Sequence, residues 1–175
     1  MLLGMSLSTF TAFHVFLSLV GIGSGVVVVW GLLQSKRLNG ITAIFLVTTV
    51  LTSATGFLFP VEHILPSHIV GIISLVALAL AIVARYMQGM AGAWRWIYVV
   101  SAVAALYLNT FVLVVQSFLK VPSLHTLAPT QKEPPFGIAQ LLVLVLYIAL
   151  GYLAVRRFRV EPAIVPPAQR GSRAA

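Results

Sequence analysis

One long stretch of the chain contains no charged residue, and this stretch indicates the fold. Residues 136–155 read FGIAQLLVLVLYIALGYLAV, and the chain then continues directly into Arg156, Arg157 and Arg159. Roughly 20 apolar residues in a helix cross the hydrocarbon core of a bilayer, and positively charged residues collect where such a helix meets the cytoplasm. The stretch therefore predicts a transmembrane helix that ends on the cytoplasmic side.

Four earlier segments have the same character, and the whole chain is 60% hydrophobic and 8% charged. A soluble domain is about half apolar and about a quarter charged, whereas a chain in lipid must bond every backbone group internally, as helices do. We predict an all-α integral membrane bundle in residues 1–159, followed by a disordered basic tail in residues 160–175 that is rich in Pro, Ala and Arg. The five predicted transmembrane helices are residues 8–33, 41–59, 68–86, 94–119 and 136–155.

The Lys and Arg residues predict how this bundle is oriented. Nine of them border the connections that follow the first, third and fifth helices, and only Lys120 and Lys132 fall on the other side. Because Lys and Arg accumulate in cytoplasmic loops, the N-terminus is predicted outside and the C-terminus in the cytoplasm. Residues 1–10 lack the positive charge that begins a cleavable signal peptide, so we expect the first helix to be retained. The predicted location is the bacterial cytoplasmic (inner) membrane.

Composition also argues against several classes of function. The chain has no cysteine, so disulfides, thiolate metal sites and cysteine nucleophiles are excluded. The positive residues lie at helix ends and form no single basic face, so we expect no nucleic-acid partner. No predicted helix carries an acid, Lys or Arg at its centre, where a proton-coupled transporter would place one. No combination of Ser, His and acid suggests a catalytic triad, and we expect a non-enzymatic protein.

Polar residues within the predicted helices indicate which faces point into the bundle. His14, Ser18, Gly21 and Gly25 recur at helical spacing on one face of the first helix, and such a face packs against other helices and not against lipid. We therefore expect His14 to point inward. The two glycines serve either packing within the bundle or self-association.

The fourth and fifth predicted helices carry amides. Asn109 lies near mid-membrane and needs a partner, because an unbonded amide in hydrocarbon is unfavourable. Gln116 and Gln140 both lie towards the outside, where they could bond each other. Together with His14, these amides are the candidate ligand-binding residues.

All four histidines fall towards the outside in this topology. Imidazole and carboxylate are the usual ligands for zinc, copper or iron when thiolate is absent, and His14, Glu62, His63 and His68 are the candidate set for a divalent metal. His14 and His68 are also the candidate pair for haem b, since histidines on two helices can bind the iron from both sides. A third alternative is a quinone or lipid-like ligand between helices, bonded by His14, Asn109 and Gln116.

The resulting hypothesis is a small binding or accessory protein with a polar, histidine-containing site on its outer (periplasmic) face. A redox protein that holds haem b or a metal, and a protein that binds a quinone or lipid-like ligand, are the alternatives. Expected partners are the lipid bilayer and either another membrane protein or a second copy of this chain. Anionic lipid headgroups at the cytoplasmic face are the expected contacts of Arg156, Arg157 and Arg159.

Overall fold

The computed structural model describes residue 4, residues 6–59 and residues 66–159. This part of the chain is helical throughout its regular structure and contains no strand. The predicted tail, residues 160–175, lies outside the described residues. The helices are α1 (Leu7–Leu33), α2 (Asn39–Gly56), α3 (Pro66–Ile82, extended by a π-helical turn over Val83–Met87), α4 (Trp94–Lys120), the short α5 (Pro122–His125) and α6 (Pro134–Arg157).

Five of these helices are long and apolar enough to cross a membrane, namely α1, α2, α3 with its π-helical turn, α4 and α6. This confirms the predicted all-α, multi-pass architecture. The predicted bounds differ from those of the structure by a few residues, most at the end of the second helix, which stops at Gly56 and not at residue 59.

The helix ends follow from local chemistry. Ser6 precedes α1 and accepts a hydrogen bond from the Thr9 amide at 3.2 Å, as an N-cap residue does. Pro134 and Pro135 occupy the first turn of α6, where a missing N–H costs nothing. The π-helical turn after α3 ends at Met87, and the left-handed φ of 57° at Gly89 then reverses the chain, so that the Met90 amide donates back to the Ala84 carbonyl at 2.8 Å.

The long helices form a four-helix bundle with a fifth helix on its side. Helix α1 packs against α2 and α4, α3 completes the ring between α2 and α4, and α6 lies against α4 and α1. Tyr147 and Ala154 are the buried residues of α6, and most of its remaining apolar surface is exposed. Such a surface fits contact with lipid.

The small-residue face of α1 is used inside the bundle. A Cβ atom added to Gly25 would lie 2.6 Å from Leu106 Cδ1 and 2.9 Å from Phe45 Cδ2. A Cβ on Gly21 would lie 2.9 Å from the Thr49 hydroxyl oxygen. The two glycines therefore let α2 and α4 approach α1 closely, which is the first of their two expected roles.

The connections divide between two ends of the bundle. At one end the Ser35 hydroxyl donates to the Arg159 carbonyl at 3.0 Å, and Arg95 donates to the Val155 carbonyl at 3.0 Å. We call this the basic end (residues 34–39, 85–98 and 152–159). The opposite end, residues 6–18, 52–59 and 118–133, contains His14 and His125, and we call it the histidine end.

Candidate functional site

His14 is tied to the adjacent helix through one of its two ring nitrogens. Its Nδ1 lies 2.9 Å from the hydroxyl oxygen of Thr55 on α2. That hydroxyl already donates its single proton to the Leu51 carbonyl at 2.7 Å, so it accepts from the Nδ1–H of His14. A neutral imidazole protonated at Nδ1 keeps a lone pair on Nε2. Nε2 has no hydrogen bond to any of the described residues, so it is the nitrogen able to accept one from a ligand or to bind a metal.

Aromatic rings form one wall of this site. The Phe59 ring lies 5.2 Å from the His14 ring and perpendicular to it, and 5.0 Å from the ring of Phe10. Phe10 is fully buried, whereas His14 is half-buried. A Cβ at Gly56 would lie 3.8 Å from Cε1 of His14. The site therefore combines one polar acceptor with an apolar surface, as small-molecule sites commonly do.

Ser18 of α1 and Asn109 of α4 form a hydrogen-bonded pair one helical turn from His14. The Ser18 hydroxyl donates to Asn109 Oδ1 at 2.8 Å, and Asn109 Nδ2 donates to the Ser18 carbonyl at 3.4 Å. Asn109 is buried, and these bonds supply the partner that its amide requires. Nearby, the buried hydroxyl of Thr49 has no hydrogen-bond partner among the described residues.

The two glutamines do not meet each other. Gln140 donates to the Phe111 carbonyl at 3.2 Å, and its Oε1 is buried without a partner. Gln116 is exposed on α4. No hydrogen bond joins either glutamine to His14 within the described part of the chain. The structure bonds Asn109 to Ser18, one helical turn from His14 along α1, and bonds neither glutamine to this pair.

The other candidate ligands are dispersed or not described. The His68 ring lies 5.5 Å from that of Phe57, and its imidazole makes no hydrogen bond or ring contact with His14 among the described residues. His125 is exposed, with Nδ1 3.3 Å from the Phe118 carbonyl. Glu62 and His63 lie outside the described residues. In residues 6–59 and 66–159, no three His, Asp or Glu side chains are placed to hold a metal ion together.

The Glu133 carboxylate accepts hydrogen bonds from residues of its own loop. Although desolvation raises the pKa of this carboxyl, hydrogen bonds from its own amide, the Thr130 hydroxyl and the amides of Thr130 and Lys132 together lower its pKa below the ordinary value. The Thr130 hydroxyl donates at 2.9 Å and the Lys132 amide at 3.0 Å. The carboxylate thus fixes the turn that leads into α6.

The three arginines expected to bind lipid headgroups lie at the surface of the basic end. Arg156, Arg157 and Arg159 are exposed. The Arg156 guanidinium lies 5.3 Å above the ring of Tyr152, and the Arg159 amide donates to the Ser35 hydroxyl oxygen at 2.8 Å.

Sequence reasoning missed the environment of Arg85, which it treated only as an orientation signal. Arg85 is buried at the basic end, where its Nη2 donates to Asn39 Oδ1 at 2.7 Å. Its Cζ lies 5.1 Å from the ring centre of Tyr98 and 5.7 Å from that of Tyr86. Asn39 and Tyr98 are distant from Arg85 in sequence, so no local sequence pattern predicts this cluster.

A second concavity lies between α4 and α6 and offers little polar chemistry. Its volume is about 290 Å³, and its wall is almost wholly apolar, with Tyr107, Tyr147 and Tyr152 among its residues. The Tyr147 hydroxyl is already bonded to that of Thr110 at 2.8 Å. The groove therefore offers few groups that could bond a polar ligand.

Comparison of the chain with protein-family models, with curated proteins and with solved structures gave no match.

Proposed function

We propose that this chain is a non-enzymatic binding protein of the bacterial inner membrane, whose His14 site takes a ligand with an apolar body and a hydroxyl group. A quinol has this chemistry, as does a lipid-like alcohol. The observation that carries the proposal is the hydrogen-bond state of His14. Because Thr55 accepts from Nδ1–H, Nε2 is an acceptor, and a hydroxyl donor is its natural complement.

The neighbouring residues support the same ligand class. Phe10 and Phe59 form an apolar surface beside the imidazole. One helical turn away, Ser18 and Asn109 are hydrogen-bonded to each other. A ligand that lies between membrane helices buries its apolar body here and donates a hydroxyl proton to His14.

The proposed orientation places this site on the outer face. Contacts at the basic end bring Ser35, beside Lys36 and Arg37, together with Arg159, and Lys and Arg accumulate on the cytoplasmic side. The N-terminus is then outside and the C-terminus in the cytoplasm, with the exposed arginines against anionic headgroups. Another membrane protein or a second copy of the chain would contact the exposed apolar face of α6.

Titration with decylubiquinol and decylubiquinone tests the proposal. The reduced form has hydroxyl donors for Nε2 and the oxidised form has none, so we expect the quinol to bind more tightly by about three- to tenfold, the worth of one neutral hydrogen bond. The shift in the thermal unfolding midpoint of the purified protein in neutral detergent reports binding.

Two histidine variants provide the matched comparison. His14→Gln should lose the preference for the quinol, whereas His125→Gln, an exposed histidine at the same end, should keep it. Equal affinity of the native protein for both redox forms, or an unchanged preference in His14→Gln, would refute the proposal.

A redox protein that holds haem b or a metal is the second candidate, because the same Nε2 atom is suited to coordinate iron or zinc. Glu62, His63 and His68 would supply the remaining ligands. An absorption spectrum and metal analysis of the purified protein separate the two candidates. A Soret band or stoichiometric metal that is lost in His14→Ala would favour the redox protein, and a protein without either would favour the binding protein.

A further inference from the structure

The basic end contains a buried cation that has no anionic partner among the described residues. Arg85 is 7% exposed, and its guanidinium stays charged at physiological pH. Burial of a charge is strongly unfavourable unless an opposite charge or hydrogen bonds compensate for it. Among the described residues the one carboxylate is that of Glu133, which lies at the histidine end. Within that part of the chain, Arg85 therefore has no counter-ion.

The contacts of Arg85 hold the group without neutralising it. Asn39 Oδ1 accepts from Nη2 at 2.7 Å, and the other contact in the plane of the group is the Met90 sulfur, 4.0 Å from Nη1. A thioether is a weak acceptor. The Tyr98 and Tyr86 rings lie near the guanidinium in cation–π contacts. Among the residues that the structure describes, one amide oxygen is thus the only strong acceptor for a group with several N–H donors.

Tyr98 supplies a second observation at the same place. Its side chain is fully buried beside Thr42 and the guanidinium, and its hydroxyl makes no well-formed hydrogen bond to any of the described residues. A buried hydroxyl without a partner is rare and unfavourable. The unpaired donor and the unpaired charge are complementary to one oxyanion.

The backbone around Arg85 is also irregular. Arg85 lies inside the π-helical turn Val83–Met87, and such turns occur frequently at functional sites. Met90, whose sulfur faces the guanidinium, has a left-handed φ of 59°, which is uncommon for a residue with a side chain. The segment that covers Arg85 is therefore not a relaxed helix end.

We propose that Arg85 and Tyr98 bind a phosphoryl group, with Asn39 holding the guanidinium in position. The guanidinium N–H groups and the Tyr98 hydroxyl donate to the phosphate oxygens, one of which takes the place of the Met90 sulfur. Trp30 and Trp96 lie at the same end and are 63% and 48% exposed, as expected of residues at the headgroup layer. The phosphate belongs to a lipid headgroup or to a soluble phosphate.

The test measures the thermal unfolding midpoint of the full chain in neutral detergent with three probes. Dioctanoyl phosphatidylglycerol carries the phosphate on a lipid, dioctanoylglycerol has the same acyl chains without it, and inorganic phosphate has no chains. We expect a concentration-dependent rise with phosphatidylglycerol and none with dioctanoylglycerol. A rise with inorganic phosphate at similar concentrations would identify a soluble phosphate as the source, and its absence would identify the lipid.

The variants decide whether Arg85 carries the binding. Arg85→Gln should weaken the affinity about tenfold or more, because it removes charge-assisted hydrogen bonds, and Tyr98→Phe should weaken it about threefold. Arg37→Gln, an exposed arginine at the same end that is not among the expected headgroup contacts, should leave it within about twofold of the native affinity.

The proposal is overturned if Arg85→Gln binds phosphatidylglycerol as tightly as Arg37→Gln does. If Arg85→Gln does not fold, Tyr98→Phe decides, since its hydroxyl has no well-formed hydrogen bond among the described residues and its loss should not disturb the fold. Unchanged affinity in Tyr98→Phe would then refute the site. His14→Gln should bind phosphatidylglycerol with the native affinity, so the Arg85 site and the quinol site can be refuted independently of each other.

Discussion

At the scale of single residues, the polar groups inside this bundle are satisfied mostly by their nearest neighbours. Thr48 and Thr55 both donate to the carbonyl one turn earlier, at 2.7 Å, as hydroxyls in helices often do. Only Thr55 also accepts a bond from His14. The pair therefore offers a way to isolate the interhelical bond from the local one.

Thr55→Val should destabilise the protein by about 1 kcal/mol more than Thr48→Val does. Both changes remove the same local bond and keep the side-chain volume, but the first also leaves the Nδ1–H of His14 without an acceptor. Thermal unfolding of both variants in detergent measures the difference. Equal midpoints would show that the contact between His14 and Thr55 contributes nothing to stability.

Gly25→Ala should destabilise the bundle by about 1–3 kcal/mol, the usual cost of overpacking. The new methyl group would lie within 2.6 Å of Leu106 and 2.9 Å of Phe45, so α1 must move away from its neighbours. Gly23→Ala on the same helix is the control, because nothing lies within 4 Å of its added Cβ. Alanine favours a helix over glycine, so this variant should unfold at the native temperature or slightly above it.

At the scale of the elements, α6 is held at its C-terminal end by a residue from α4. The Arg95 guanidinium donates to the carbonyls of Val155 and Phe158, which are among the groups that a helix end leaves unpaired. Phe158 is fully buried against this end of the bundle. The arginine is thus a cap for a helix that has few other buried side chains.

Arg95→Met should loosen the last turn of α6, since it removes both hydrogen bonds but keeps most of the apolar stem. We expect faster amide hydrogen exchange in residues 150–158, with little change in α2. Arg156→Met, whose guanidinium contacts only the Tyr152 ring in the described part of the chain, should leave that exchange nearly unchanged. The same exchange rate in both variants would exclude the capping role.

The elements were the part of the structure that the sequence predicted best. Apolar runs of membrane-spanning length predicted all five long helices, and the spacing of His14 and Ser18 predicted the inward face of α1. The Arg85 cluster was not predictable, because it depends on Asn39 and Tyr98, which belong to other helices. The end of α2 was placed three residues too late, since Phe57–Phe59 are apolar but form a turn.

At the scale of the whole molecule, the polar groups fall into two layers. His14, Ser18 and Asn109 belong to the layer nearer the histidine end, and Arg85 and Tyr98 to the layer at the basic end. Between them Gly25, Phe45 and Leu106 are in close apolar contact. Apolar packing therefore lies between the two proposed sites in this part of the described bundle.

The orientation of these layers can be tested because the chain has no native cysteine. Lys36→Cys and Ser123→Cys place single thiols at exposed positions at opposite ends of the bundle. A membrane-impermeant maleimide should label Ser123→Cys in cells with a permeabilised outer membrane, and should label Lys36→Cys only after the inner membrane is opened. The unmodified chain controls for background. The reverse pattern would invert the bundle and place His14 in the cytoplasmic half, while labelling of both thiols from one side would contradict a membrane-spanning arrangement of α2 to α4.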